Sequence, residues 1–238
     1  MNKKTLIFQF RNGKLEKSER ASFAEKFDVP QESIIFINIL NENHTYPELD
    51  EVKAIVIAGS GDNSLTISHP WFESLTEYIR KAIDRHIPVL GVCFGHQFLA
   101  LLYGAKIVQD PAQKEIGCVS VKINQLGLSD PLLKGMGENF YTIAGHNDSV
   151  INVPTELEVL ASTERCPIQM FKINGSFAYG VQFHPELSKS DYEKRLAFYR
   201  DLYVDKEFNF DELLMEGDSP TTGDQVLKNF KKLVEQRI

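Results

Sequence analysis

Ile87-Pro88-Val89-Leu90-Gly91-Val92-Cys93-Phe94-Gly95-His96-Gln97 decides the fold class. Its apolar start reads as a short buried strand, and residues 98–103 are compatible with a helix. Between them, Gly-x-Cys-x-Gly describes a nucleophile elbow. Small residues on both sides let the backbone turn sharply enough to lift the central side chain clear of the sheet. A thiol there also lies at a helix N-terminus, where partial positive charge favours the thiolate, the reactive form.

Upstream of the elbow, strands and helices alternate. Residues 5–10 and 33–40 read as buried strands with the charged stretch 15–27 as a helix between them, and residues 52–58 form a third strand. Ser68 is placed to cap the next helix, with Pro70 in its first turn. Trp71, Leu75, Tyr78, Ile79, Ala82 and Ile83 then recur at helical spacing and give it one apolar face. This β-α-β-α-β alternation predicts an α/β fold: a parallel sheet with helices on both faces. From residue 105 to 183 the pattern changes to short strands without intervening helices, at 106–109, 117–123, 140–143, 157–161, 168–173 and 177–183. Turns at 124–127, 134–137 and 174–175 separate them, so a mixed, mostly parallel sheet with an antiparallel excursion is expected.

The elbow's partner lies in Tyr179-Gly180-Val181-Gln182-Phe183-His184-Pro185-Glu186. His184 would emerge at the end of a buried strand, where α/β sheets carry their active sites. Glu186 follows two residues later and can reach back to the imidazole. A nucleophile, a base and a carboxylate to orient the base make a triad of Cys93, His184 and Glu186.

Gly-Val-Cys-Phe-Gly-His-Gln and Gln-Phe-His-Pro-Glu closely resemble the signatures of class I (triad-type) glutamine amidotransferases, most closely the glutaminase domain of GMP synthase and its free-standing relatives. Ala54-Ile55-Val56-Ile57-Ala58-Gly59-Ser60-Gly61-Asp62 resembles the strand and glycine turn that supply that family's oxyanion hole. The resemblance covers roughly Lys4 to Glu186. It implies a flavodoxin-like or Rossmann-like sheet, an oxyanion hole from the Gly59 and Phe94 backbone N–H groups, and no cofactor. Relatives often carry a proline after the equivalent glycine, whereas this chain has Ser60-Gly61. The resemblance also implies that Gln97 contacts the substrate's amino-acid end. Ala144-Gly145-His146-Asn147-Asp148 matches the family's substrate loop, which makes His146 and Asn147 substrate-binding candidates, with Asn147 where glycine is frequent. His96 and His146 read as packing and loop-positioning residues; His44, His69 and His86 read as surface or cap residues.

Composition narrows the remaining classes. At 238 residues, one α/β domain over 1–187 and a helical extension over 188–238 are expected, the extension packing on the domain or on a second chain. Residues 192–203 read as an amphipathic helix, 208–222 as an acidic, turn-rich stretch, and Val226, Leu227, Phe230, Leu233 and Val234 as one face of a last helix. A net charge of −7 and the absence of a basic stripe argue against nucleic-acid binding. The apolar runs fall far short of the ~20 residues that span a bilayer, and residues 1–10 read as a first strand rather than a signal peptide. Three cysteines, Cys93, Cys118 and Cys166, without metal-like spacing suit a reducing cytoplasm.

The expected chemistry is hydrolysis of the γ-amide of glutamine or of another γ-glutamyl small molecule. No nucleotide-binding Gly-x-x-x-x-Gly-Lys-Ser/Thr loop is present to use the ammonia. Three readings stay open: a stand-alone hydrolase that self-associates as a homo-oligomer, a glutaminase subunit feeding a separate synthase, and a non-catalytic regulatory protein that kept the fold.

Overall fold

The computed structural model describes residues 3–41, 43–199 and 222–237. The amino-terminal alternation becomes β1 (Lys4–Gln9), α1 (Gly13–Phe27), β2 (Ile34–Asn38), β3 (Val52–Ile57), α2 (Phe72–Asp84), β4 (Val89–Val92) and α3 (Phe94–Leu102). These strands pair in parallel, β2 with β1, β1 with β3 and β3 with β4. Then come β5 (Lys106–Gln109), β6 (Glu115–Ile123), α4 (Gln125–Ser129), β7 (Asn139–His146), β8 (Asp148–Ile151), β9 (Leu157–Ser162), β10 (Met170–Ile173) and β11 (Ala178–Val181). The nine-stranded sheet has the order β2-β1-β3-β4-β11-β10-β9-β6-β7.

β11 joins parallel to β4, and each pairing beyond it is antiparallel. Direction reverses at every antiparallel step, so β9 and β7 again point with β4, and seven of the nine strands share one direction. The expected mixed, mostly parallel sheet is therefore present. It brings β11, and with it His184, beside β4 and the elbow.

The two-residue period of the strands divides the core into layers. Leu6, Phe8, Ile55, Ile57 and Val89 face a layer filled by Leu75 and Ile79 of α2 and Phe98 and Leu99 of α3. Ile7, Ala54, Val56, Leu90 and Val92 face the opposite layer, with Phe23 and Phe27 of α1 and Val226, Leu227 and Phe230 of α6 (Gln225–Glu235). Each fully buried large side chain contributes about 1.5–3 kcal/mol relative to exposure. A third, small cluster joins Tyr192 and Leu196 of α5 (Lys189–Tyr199) to Ile143 and Leu187. Among the described residues, no helix is long and apolar enough to cross a membrane.

Local details differ from the sequence-based expectations. Ser68 does not cap α2; Trp71 is its N-cap, without a side-chain cap bond. The buried Trp71 ring packs 5.1 Å from Phe10 and 4.7 Å from His69, so tertiary packing sets the helix start. Residues 124–127 begin a short helix, with the Asn124 side chain accepting from Gly127 N at 2.9 Å. β8 is additional to the expected strands; it pairs antiparallel with β5 in a separate two-stranded sheet. Residues 200–203 and 208–221 of the expected tail elements lie outside the described residues.

Candidate active site

Cys93 lies between β4 and α3 with φ 51° and ψ −98°, a sparsely populated conformation for a residue with a Cβ that costs about 1–3 kcal/mol. Flanking bonds hold it there: Cys93 N donates to Val181 O at 2.8 Å, and Gln97 N donates to Cys93 O at 3.1 Å. Both glycines of the elbow are sterically required. A Cβ on Gly91 would clash with the backbone of Gly95 and His96, and one on Gly95 with the Ile57 carbonyl. The strand, the turn and the helix can close only because neither residue has a side chain.

His184 follows β11, its N–H donating to Ile143 O of β7 at 2.7 Å. Its Nδ1 donates to Glu186 Oε1 at 2.7 Å, and Cys93 Sγ lies 3.8 Å from Gly145 O. The three residues are all buried, with Glu186 fully so. Burial by itself would lower the His184 pKa; the Glu186 carboxylate, the charge on Cys93 and the hydrogen bond to Glu186 outweigh it and raise it from 6.5 to about 9. Burial alone would raise the Glu186 pKa, but the His184 charge and hydrogen bond, with Arg195, take it from 4.5 down to about 2.

These opposite shifts make stability pH-dependent. His184, raised in the fold, contributes fully below 6.5 and loses its contribution as pH rises through about 9. Glu186, lowered in the fold, contributes fully above 4.5 and loses its contribution as pH falls through about 2. Denaturation of wild type and Glu186→Gln across this range should show the largest stability difference between 4.5 and 6.5, shrinking towards 9. A difference independent of pH on the alkaline side would contradict the His184–Glu186 coupling.

A cleft of about 210 Å³ opens beside Cys93. It lies below the ~300–1,000 Å³ of pockets for drug-sized ligands and suits a group of amino-acid size. Ser60, Gly61, Asp62, Asn63 and Ser64 form one wall, Cys93, Phe94 and Gln97 the base, and Gln109, Gly145, His146, Asn147 and Asp148 the other wall. Gly59 lies behind it: a Cβ there would stand 2.8 Å from His184 Cε1 and 3.6 Å from Cys93 Cβ. Ser60 Oγ accepts from Asn63 N and Nδ2 at 3.1 and 2.9 Å and donates to Phe10 O, which fixes the loop after β3.

The remaining expected site residues divide by what their side chains do. Gln97 Nε2 donates to Asp148 O at 2.9 Å and to Gln182 Oε1 at 3.2 Å, tying α3 to the opposite wall. Asn147 is exposed on the cleft rim. The His146 ring turns inward, Nδ1 meeting Asp148 O at 3.1 Å and Nε2 meeting Glu115 Oε2 at 3.2 Å. His96 is fully buried against Phe171, and burial drives its pKa down to about 3. It is a neutral packing residue.

Several residues here carried no sequence signal. Ser64 Oγ donates to Asp148 Oδ2 at 2.5 Å, linking the two cleft walls. Arg195 Nη1 of α5 lies 3.4 Å from both Glu186 Oε1 and His184 Nδ1. Glu115, His146 and Cys166 bring atoms of metal-ligand type within 4.8 Å of one another. However, Thr163 Oγ1 donates to Glu115 Oε1 at 2.6 Å, Gln169 Nε2 donates to Glu115 Oε2, and burial pushes the Cys166 thiol up to about 12. Hydrogen bonds already satisfy this group, and a cation would have to displace them.

The fold brings together an elbow cysteine, a histidine just past the neighbouring parallel strand and a buried glutamate as a candidate triad. The family model for glutamine amidotransferase class-I matches residues 30–201, and the chain belongs to that family. It is 31% identical over 164 residues to a subunit of the glutamine-hydrolyzing GMP synthase of Methanococcus vannielii, covering 69% of this chain and 78% of that one. It is 30% identical over 185 residues to a glutamine amidotransferase-like protein of Schizosaccharomyces pombe, covering 75% and 72%. The crystal structure of a glutamine amidotransferase from Thermotoga maritima superposes with a TM-score of 0.79 at 19% identity, covering 99% of both chains. That last likeness concerns the fold.

Proposed function

We propose that this protein hydrolyses the γ-amide of glutamine or of a γ-glutamyl compound through a thioester on Cys93. The observation that carries the reading is the buried group of Cys93, His184 and Glu186, in which His184 Nδ1 bonds Glu186 Oε1 at 2.7 Å and the Glu186 and Cys93 charges raise the His184 pKa, opening on a cleft of amino-acid size. The Cys93 thiolate attacks the amide carbon, and the carbonyl electrons move onto oxygen. The Phe94 N–H at the start of α3, with the Gly59 N–H of the glycine turn, stabilises that oxyanion, a contribution of about 3–4 kcal/mol per donor. His184, as imidazolium, gives its proton to the departing nitrogen as the C–N bond breaks. The neutral imidazole then takes a proton from water, whose oxygen attacks the thioester; glutamate leaves and the thiolate returns.

Glu186 orients the imidazole and stabilises its charged form, so it acts one step removed from the reacting atoms. Glu186→Gln should therefore slow turnover less than His184→Ala, by about one to two orders of magnitude. Steady-state kinetics on both variants check this; equal losses would give the carboxylate a larger part than orientation.

A panel of glutamine and several γ-glutamyl peptides, assayed for glutamate release with Cys93→Ala as blank, tests the reading. Turnover of one or more of them is expected; none from any of them overturns a self-sufficient hydrolase and points to a missing activating partner or a regulatory role. Robust peptide turnover with little from glutamine marks a stand-alone hydrolase. The GMP synthase subunits among the relatives favour a second reading, delivery of ammonia to a separate synthase. A stoichiometric partner that raises glutaminase activity about tenfold or more would establish it.

A further inference from the structure

Glu186 is fully buried, and its Oε1 accepts from both His184 Nδ1 at 2.7 Å and Arg195 Nη1 at 3.4 Å. A buried carboxylate is costly unless a positive charge stays close to it. His184 supplies that charge only while it is protonated. Once the imidazole has passed its proton to the leaving nitrogen, Glu186 would be a lone buried anion unless a second cation remained. Arg195 is that cation. With it, thiolate, imidazolium, carboxylate and guanidinium sum to zero; without it, the resting site carries one net negative charge.

The placement of Arg195 is built into the fold. α5 is anchored by Tyr192 and Leu196, which pack on Leu187 and on Ile143 of β7. Ser188 and Asp191 close its first turn, with Ser188 Oγ donating to Asp191 Oδ2 at 2.6 Å and Tyr192 N donating to Ser188 O at 2.9 Å. The His184 N–H is bonded to Ile143 O, so α5 and the imidazole are referenced to the same strand residue. We infer that Arg195 is a positioning residue for the reaction, holding Glu186 charged and aimed at His184 throughout the catalytic cycle. This rests on the triad hydrolase reading above.

Several other charges near the triad are paired among themselves. Arg11, beside Gly59, pairs with Glu19 at 2.9 Å. His146 and Glu115 face one another behind Gly145. On α5, Asp191 lies 3.8 Å from Lys194 and is bonded to Ser188. Among the described residues, the cations that lower the Glu186 pKa are His184 and Arg195, so losing Arg195 leaves the imidazolium alone. That loss makes the carboxylate easier to protonate, the imidazolium harder to deprotonate and the thiolate less favoured. All three changes move in the same direction, towards higher pH.

The test measures Cys93 alkylation by iodoacetamide against pH for wild type, Arg195→Met and Arg195→Lys, each checked for folding by circular dichroism. Alkylation needs no substrate, so a failure of the γ-glutamyl reading and a failure of this inference are separate results. Arg195→Met should move the acid limb of the alkylation profile up by as much as about one pH unit, because Arg195 stands 3.4 Å from His184 and Glu186 and acts on Cys93 through them. Arg195→Lys should restore most of the shift. On an active substrate, the kcat/KM profile of Arg195→Met should move the same way, with a fall of as much as about tenfold at neutral pH. If Arg195→Met does not fold, Arg195→Lys alone decides: a profile within experimental error of wild type supports the charge role, and a full one-unit shift opposes it. Coincident profiles for wild type and Arg195→Met, or a Lys variant as shifted as the Met variant, overturn the inference.

Discussion

Cys93→Ala is expected to remove the proposed hydrolysis and leave the protein folded. Loss of a triad nucleophile costs about six orders of magnitude in turnover, because the remaining groups only position water against an unactivated amide. The fold should be nearly unaffected: alanine keeps the Cβ that the φ 51° backbone already accommodates, and the strand and helix on either side are held by backbone bonds from Cys93 N and to Cys93 O. A stability change within about 1 kcal/mol is expected. Cys166→Ala is the opposite case. Cys166 is fully buried and lies away from the cleft, so its loss should lower stability and leave turnover largely intact. Residual thiol-dependent activity in Cys93→Ala would remove the basis for the mechanism.

Gly95→Ala should unfold the elbow. Its Cβ would overlap the carbonyl group of Ile57, which is backbone in the sheet and cannot rotate away as a flexible side chain could. Either α3 lifts from β3 or the elbow changes conformation, and both disrupt the layer holding Phe94, Phe98 and Leu99. A loss of about 3 kcal/mol or more is expected, at the upper end for overpacking, which lowers the melting temperature by roughly 6–12 °C in a chain of this size. Gly145→Ala is the control. Only His184 side-chain atoms, at 3.9 Å, lie near its added Cβ, which is ordinary contact. That variant should fold normally and show its effect on substrate turnover. Comparable melting temperatures for the two variants would mean that the elbow is looser than its geometry implies.

Much of this was legible because strong local patterns coincide with tertiary roles. Leu6-Ile7-Phe8 and Ala54-Ile55-Val56-Ile57 are uninterrupted apolar runs, as expected of strands covered on both faces. Gly91-x-Cys93-x-Gly95 was readable since each glycine answers one steric demand. His184 and Glu186 lie two residues apart, so their contact is local. What escaped the sequence depends on distant packing. Trp71 starts α2 because its ring is held against Phe10, which overrides the capping preference of Ser68. β8 begins with Asp148 and Ser149, polar residues that look like loop until β5 is seen beside them. Glu115 meets His146 across 31 residues. Arg195 looked like one charge among many on an amphipathic helix, and only the docking of α5 against Ile143 brings it to Glu186. The apolar face of α6 was evident, but the surface it covers was not; it completes the layer shared with Phe23 and Phe27.

The most direct measurement of the central claim is mass-spectrometric peptide mapping after treatment with a glutamine-shaped electrophile such as a diazoketone, with activity followed in parallel. One label per chain on Cys93, none on Cys118 or Cys166, protection by the substrate identified in the panel, and loss of turnover in step with labelling are the expected results. Labelling first at another cysteine, or full turnover in protein labelled to completion at Cys93, would contradict the nucleophile and the thioester route.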